Sequence, residues 1–356
     1  MNKTRVLVLG SAFAADLHLD AYSRLHDLAV VVGLCSRDSA KTTAMTQRWK
    51  LEGVTAYRDF RRAIAESDAD LVDICLPNFL HAEAALAAFA AGKHVLCEKP
   101  LATTVEDAAA MVEAAHAAGR RLYYAEDWMF APALEKAVSL VAGGGIGRLL
   151  YVRARECHSG SHSPFAQTLE FCGGGAMVHL GIHPVGFVLA LKNQRWTELV
   201  AMNSGGGKGN LRHNRLEGED WSAGLIRFED GTTALVEANY ITAGGMEDQI
   251  DLYGESGRLH IDLTGSSAIR AYSIPGFDYT VEKAEVTTGW SRPAIDERGA
   301  LGYAEEMRHV IEACRSGPGG AEAKLGVRGI DGYQALRVVK LLEQSAREGR
   351  TIKNEP

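Results

Sequence analysis

Across the first 125 residues, short β-branched runs alternate with helix-forming segments, a pattern that admits little other than βαβ crossovers closing a parallel sheet. The strand-like runs are Val6–Leu9, Ala29–Leu34, Leu71–Leu76, His94–Cys97 and Leu122–Ala125. Between them, Ala82–Ala91 is almost wholly good helix formers and stops at Gly92, a suitable C-cap. Thr103 and Thr104, followed by Glu106 and Asp107, open the next helix. Open parallel sheets bind ligands at the carboxyl ends of their strands. Chemistry is therefore expected where these runs end.

After Pro132 the texture changes. A helix is predicted over Ala133–Ala142, then a strand over Leu149–Glu156, a glycine-rich loop at Cys172–Gly175 and a helix from Ala176 to Leu191. From Trp221 to about Ile269 the turn signals Asp230-Gly231, Gly244-Gly245 and Gly254–Gly257 punctuate several antiparallel strands. Helices near Gly302–Cys314 and Ile330–Glu348 follow. The expected architecture is α/β: a doubly wound parallel sheet of the Rossmann type in residues 1–125, and an α+β domain with a largely antiparallel open sheet in 126–356. The last helices have the option of packing back on the first domain.

At 356 residues, with 46% hydrophobic and 23% charged, the chain suits two soluble globular domains. A formal charge of −7 and the lack of a basic cluster argue against nucleic acid as a partner. No apolar stretch is long enough to cross a bilayer, and Met1–Val6 runs into a strand without the apolar core of a signal peptide. Six scattered cysteines read as reduced thiols, so a cytoplasmic location is expected.

Val6 to Ala15 reads as a strand, a tight turn and a helix start, with Gly10, Ala12 and Ala15 at the spacing of a dinucleotide fingerprint and Phe13 among them. Ala12 stands where a glycine would let the backbone approach a pyrophosphate, so the loop must shift or hold the phosphates less closely. An ordinary strand-to-helix turn is the alternative. At the end of the next strand, Ser36 and Arg37 offer a donor and a cation suited to a 2′-phosphate. Asp38 would meet a ribose hydroxyl if the register moved by two. NADP is the better fit, and NAD stays open.

Four motifs in order carry a resemblance: Gly10, Ala12 and Ala15 with His18; Leu76-Pro77-Asn78 with His81; Glu98-Lys99-Pro100; and Gly181-Ile182-His183 after a triple glycine. Over nearly its whole length the chain resembles the Gfo/Idh/MocA (glucose-fructose oxidoreductase and inositol dehydrogenase) family. The resemblance implies an NAD(P) site that includes Leu76, Pro77, Asn78, His81, Glu98 and Lys99, and a cis Lys99-Pro100 bond. By position, Lys99 faces the nicotinamide end of the cleft, where an ammonium can stabilise the alkoxide formed as hydride leaves. The bland alternative is a solvated loop lysine. His183 matches the histidine of the family's Asp-x-Gly-x-His motif, which takes the hydroxyl proton; an imidazole suits that exchange at neutral pH.

The pattern is broken nearby. His179 occupies the motif's aspartate position and Gly186 a second carboxylate position. Four apart on one helix, His179 and His183 would share a face, but His179 cannot fix the tautomer of His183 as a carboxylate would. The resemblance implies a Glu-Asn or Glu-Asp pair at Glu126-Asp127, and Glu126 is the expected substitute carboxylate and a substrate ligand. His158 and His162 are expected to line the same pocket, and Trp128 to offer a sugar-stacking platform, with core packing as its alternative. The His-x-x-x-His spacings invite a metal, but strand and loop geometry does not align such pairs and hydride transfer needs none, so no metal is expected.

The expected function is reversible NAD(P)-dependent oxidation of a secondary hydroxyl on a sugar, glycoside or cyclitol by a homo-oligomer, dimer or tetramer, whose contacts use the open sheet face. Two rivals stay open: redox-neutral glycoside cleavage through a transient 3-keto intermediate, and a nucleotide-binding protein without catalysis.

Overall fold

The computed structural model describes residues 3–161, 163–264, 271–275, 288–291, 296–316 and 323–354. The chain divides into two units, residues 1–130 with 302–336 and residues 131–301 with 337–356.

In the first unit, strands β1 (Thr4–Leu9), β2 (Ala29–Cys35), β3 (Thr55–Tyr57), β4 (Leu71–Ile74), β5 (His94–Cys97) and β6 (Leu122–Tyr124) alternate with helices α1 (Phe13–Arg24), α2 (Ser39–Arg48), α3 (Phe60–Glu66), α4 (His81–Ala90) and α5 (Val105–Ala117). All pairings are parallel, in the order β3-β2-β1-β4-β5-β6. Strand order reverses between β1 and β4, which makes their carboxyl ends the switch point of a Rossmann sheet. The central strands are buried on both faces, the reason they read as continuous apolar runs. The short edge strand β3, largely exposed, has no such run and was invisible to the sequence pattern. Asp38, Asp59 and Thr104 cap α2, α3 and α5 through their side chains, each bond contributing about 1 kcal/mol.

The second unit opens with α6 (Pro132–Ala142) and β7 (Leu149–Cys157), then α7 (Leu169–Cys172), α8 (Ala176–His179) and α9 (Ile182–Lys192). Strands β8 (Trp196–Asn203), β9 (Trp221–Phe228), β10 (Thr233–Asn239), β11 (Glu247–Gly254) and β12 (Arg258–Asp262) follow. After the hairpin of β13 (Ala271–Ser273) and β14 (Gly289–Ser291) come α10 (Glu297–Leu301), α11 (Tyr303–Arg315), α12 (Gly329–Glu348) and β15 (Ile352–Lys353). The large sheet runs β12-β11-β7-β10-β9-β8-β15, antiparallel except for the parallel pair β7 and β10. Along β10, Ala234, Val236 and Ala238 are buried under α8 and α9, and the intervening residues face the other way.

The single helix expected over Ala176–Leu191 is two helices, and the segments Leu169–His179 and Ile182–Lys192 meet at 55°. A Cβ at Gly181 would lie 2.3 Å from the Met177 sulfur, so the chain turns where only glycine fits. The immediate neighbours Leu180 and Ile182 are apolar, and periodicity alone had no means of marking the break. Among the described residues no single helix is long and apolar enough to cross a membrane.

In the first unit α11 packs on α1 and β1, and Gly329 and Gly332, at the start of α12, lie against Leu122 and Tyr124 of β6. The later part of α12 belongs to the second unit, where Leu342 packs on Gly224 of β9.

Candidate active site

In the first unit the residues singled out from the sequence gather along the carboxyl ends of β1, β2, β4, β5 and β6. Gly10 has φ +127, and a Cβ there would lie 2.2 Å from the Cys75 carbonyl oxygen, so the loop after β1 can cross the end of β4 only as glycine. Ala12 is the N-cap of α1 and makes no side-chain capping bond, and Ala15 is buried in the helix-to-sheet contact. A close-crossing loop leading into an uncapped helix start suits a pyrophosphate. The residues present therefore fit a dinucleotide: Gly10 to Phe13 toward its phosphates, and the end of β2 toward its ribose.

At that end the Ser36 hydroxyl is 2.6 Å from the Ser11 hydroxyl, tying the β2 end to the phosphate loop, while Arg37 is exposed. The Asp38 carboxylate accepts from the amides of Ala40 and Lys41, so its acidic group serves α2 as a cap. Leu76, Pro77 and Asn78 are half-buried beyond β4. His81 is wholly buried, with Nε2 2.8 Å from the Leu76 carbonyl oxygen and Nδ1 3.0 Å from that of Pro100. Burial lowers the affinity of this imidazole for a second proton, against the pull of the two carbonyls. It braces the β4 and β5 loops through its ring.

The Lys99-Pro100 peptide bond is cis. Beside Lys99, Glu98 uses both oxygens: one accepts from the Lys99 amide at 2.9 Å and the other is 3.0 Å from His18 Nε2. Burial alone would raise Glu98, but the hydrogen bond and charge of His18, then Lys99, pull it down to about 2. Glu126, just past β6, goes the other way: burial pushes its carboxyl up to about 8, with Lys99 opposing and Glu98 adding to the shift. Lys99 thus lies within electrostatic reach of one ionised and one protonated carboxyl. Trp128 is 1% exposed and fills the core, the alternative fate weighed for it.

Glu306 on α11 is a residue the sequence did not suggest. Fully buried, it is pushed well above the usual carboxylate range by burial and then by Asp127, with Glu98 and Glu126 adding and His18 opposing. Neither oxygen has a hydrogen-bond partner among the described residues. His18, Asp73 and Cys75 also come within 4.8 Å of one another, as direct hydrogen-bond partners.

In the second unit His183 is buried in the first turn of α9, its Nε2 3.8 Å from a carboxylate oxygen of Glu156 on β7. The carboxylate facing His183 within this unit is therefore supplied by a strand, four-apart helix spacing having been interrupted at Gly181. His179 turns elsewhere: its Nδ1 is 2.6 Å from the Tyr240 hydroxyl. The Tyr240 ring also lies 5.2 Å from that of the buried His158, tilted by 42°, and the Tyr240 carbonyl oxygen is 2.7 Å from His213 Nε2. His158 Nδ1 accepts from the Gly160 amide. His162 lies outside the described residues. Glu156 had a sequence signal, since it shares strand parity with the buried Val152 and Ala154; Tyr240 and His213 had none.

The triple glycine has a packing cause. Gly173 is left-handed at φ +86, a Cβ on Gly174 would meet Val178 and Glu343, and one on Gly175 would meet the Glu219 carboxylate. Glu219 accepts from the Met177 amide at 2.9 Å and so caps α8. Its carboxyl is pushed up to about 7 by burial and then by Glu343. Lys340 donates to the Gly173 carbonyl oxygen and to Glu343.

Residues 4–126 match an oxidoreductase family with an NAD-binding Rossmann fold (GFO_IDH_MocA), and residues 134–260 match the GFO/IDH/MocA C-terminal domain. The chain is 27% identical to D-apiose dehydrogenase of Paraburkholderia graminis over 355 residues, 97% of this chain and 88% of that protein. It is 26% identical to D-glucoside 3-dehydrogenase of Escherichia coli K12 over 361 residues, covering 98% and 97%. Its fold is similar to that of GenD2 from gentamicin A biosynthesis, solved in complex with NAD, with TM-score 0.88, 23% identity and coverage of 100% and 97%. With both family domains matched in order, on a Rossmann sheet whose first loop fits a dinucleotide, the chain belongs to the Gfo/Idh/MocA family of oxidoreductases.

Proposed function

We propose that the protein is an NAD(P)-dependent dehydrogenase acting on a secondary hydroxyl of a sugar, glycoside or cyclitol. The observation that carries this reading is Lys99 at the carboxyl end of β5, next to the β1/β4 switch point and between Glu98 and Glu126 in charge, in a chain whose relatives include dehydrogenases of D-apiose and D-glucosides. The bound nicotinamide supplies the hydride acceptor. Lys99 donates a hydrogen bond to the reacting oxygen and stabilises its developing negative charge. His183 takes the hydroxyl proton, with a carboxyl oxygen of Glu156 3.8 Å from its Nε2. Glu126, His158 and His179 are assigned to substrate hydroxyls, the first as a protonated donor at neutral pH.

For the cofactor, the engagement of Asp38 as a helix cap supports Ser36 and Arg37 as the groups nearest the ribose, and with them a preference for NADP over NAD. The active form is assigned as a homo-oligomer.

The test is a screen of the purified protein with NAD and NADP against D-apiose, alkyl glucosides and cyclitols, followed by nicotinamide absorbance. Lys99→Ala should lower kcat/KM by about 10²–10⁴-fold on whichever substrate turns over. Full turnover in that variant would overturn the assignment. Release of a free aglycone without net reduction would replace it with redox-neutral cleavage, and cofactor binding without turnover on any compound would count against catalysis altogether.

A further inference from the structure

A buried polar chain in the first unit takes no part in the reaction as assigned. The Tyr22 hydroxyl donates to Asp73 at 2.9 Å, and His18 Nδ1 lies 2.9 and 3.0 Å from the two Asp73 oxygens. His18 Nε2 is 3.0 Å from Glu98, whose other oxygen accepts from the Lys99 amide at 2.9 Å. The His18 and Asp73 side chains are fully buried and that of Glu98 is 12% exposed. A neutral imidazole has one N–H, and ionised carboxylates only accept, so a ring with a carboxylate at each nitrogen is satisfied when both nitrogens carry protons.

We propose that His18 is a positioning residue for Lys99: by joining Asp73 on β4 to Glu98 at the end of β5 through both ring nitrogens, it fixes the Glu98-Lys99 backbone and couples it to the helix that begins at the phosphate loop. The inference rests on the reading of Lys99 as the group that stabilises the alkoxide. The groups facing His18 are Asp73 and Cys75 from β4 and its end, Glu98 from β5, and Tyr303 and Glu306 from α11, with Tyr22 of its own helix reaching Asp73. Burial opposes charge on the ring, yet Asp73, then Cys75, and the hydrogen bonds to both outweigh it and hold His18 well above its ordinary 6.5. One imidazolium between two carboxylates leaves one negative charge, within electrostatic reach of the Lys99 ammonium. Lose the ring cation, and Glu98 becomes a buried carboxylate that takes up a proton at higher pH.

Measurements on the full chain test this. In spectra of protein labelled with ¹⁵N-histidine, without substrate, His18 should carry protons on both nitrogens at pH 7; a singly protonated ring at that pH overturns the proposal. His18→Asn should lower kcat about 10–100-fold, leave cofactor affinity within about threefold, and raise the acid limb of the pH–kcat profile by more than about one unit. Asp73→Asn, which keeps the shape and removes the charge, should lower the pH at which His18 gives up its second proton and serves if His18→Asn does not fold. Because His18 acts through Glu98, His18→Asn with Glu98→Gln should lose no more than the worse single variant; losses that multiply, or a lower melting temperature with an unchanged profile, sink the idea. Lys99→Ala measured alongside separates the two claims. Full turnover there defeats the assignment of Lys99, while an inactive Lys99→Ala beside a fully active His18→Asn defeats only the positioning role.

Discussion

Burial outweighs every neighbouring charge at Glu126, whose carboxyl reaches about 8 despite the nearby Lys99 ammonium. Between its ordinary 4.5 and about 8 the folded protein keeps a proton that the unfolded chain releases, so stability falls as pH rises through that window, by about 1.4 kcal/mol per unit. Below the window both states are protonated and the loss is absent. Glu126→Gln cannot ionise and should escape it: the drop in urea midpoint from pH 5 to pH 8 is expected to be smaller than in the parent protein, and equal drops would disprove the buried proton. Lys99 and His183 stood out in the sequence as candidates because each sits inside a short motif. Their supporting groups were harder to see. Asp73 left a trace, as a lone charge inside the apolar run of β4, and Glu156 left another in its strand parity, but neither names its partner.

At the scale of elements, the loop from β1 into α1 depends on one backbone conformation. Gly10→Ala would hold an L side chain at φ +127 and place its Cβ 2.2 Å from the Cys75 carbonyl oxygen. The backbone strain alone is about 1–3 kcal/mol, and the loop must withdraw from the end of β4. A lowered melting temperature, together with a smaller upward shift on adding NAD or NADP, is the expected result in thermal melts. An unchanged shift would mean that this loop does not hold the cofactor. The β-branched runs and the side-chain caps were readable because period and capping act over a few residues. The break at Gly181 was not, since its cause is a contact with Met177 that periodicity does not report.

For the molecule as a whole, the face of the large sheet opposite α8 and α9 carries Met202, 71% exposed, with the exposed Val200 on the same strand and Leu225 on the neighbouring one. If subunits pair on this face, Met202→Glu with Leu225→Glu should yield a monomer by solution mass with an unchanged circular dichroism spectrum. The same mass for parent and variant would count against that surface. Strand alternation, caps and the first loop are set by interactions within one or two turns of chain, so the order of residues alone was enough to establish a parallel sheet with a dinucleotide loop and a lysine at a strand end. The electrostatic partners depend on strand order and register. His18 meets Glu98 across 80 residues of sequence, Glu156 reaches His183 from a strand, and Gly174 leaves room for a glutamate of α12. A side chain's charge is local, but the burial and neighbours that set its proton affinity exist only once the chain has packed.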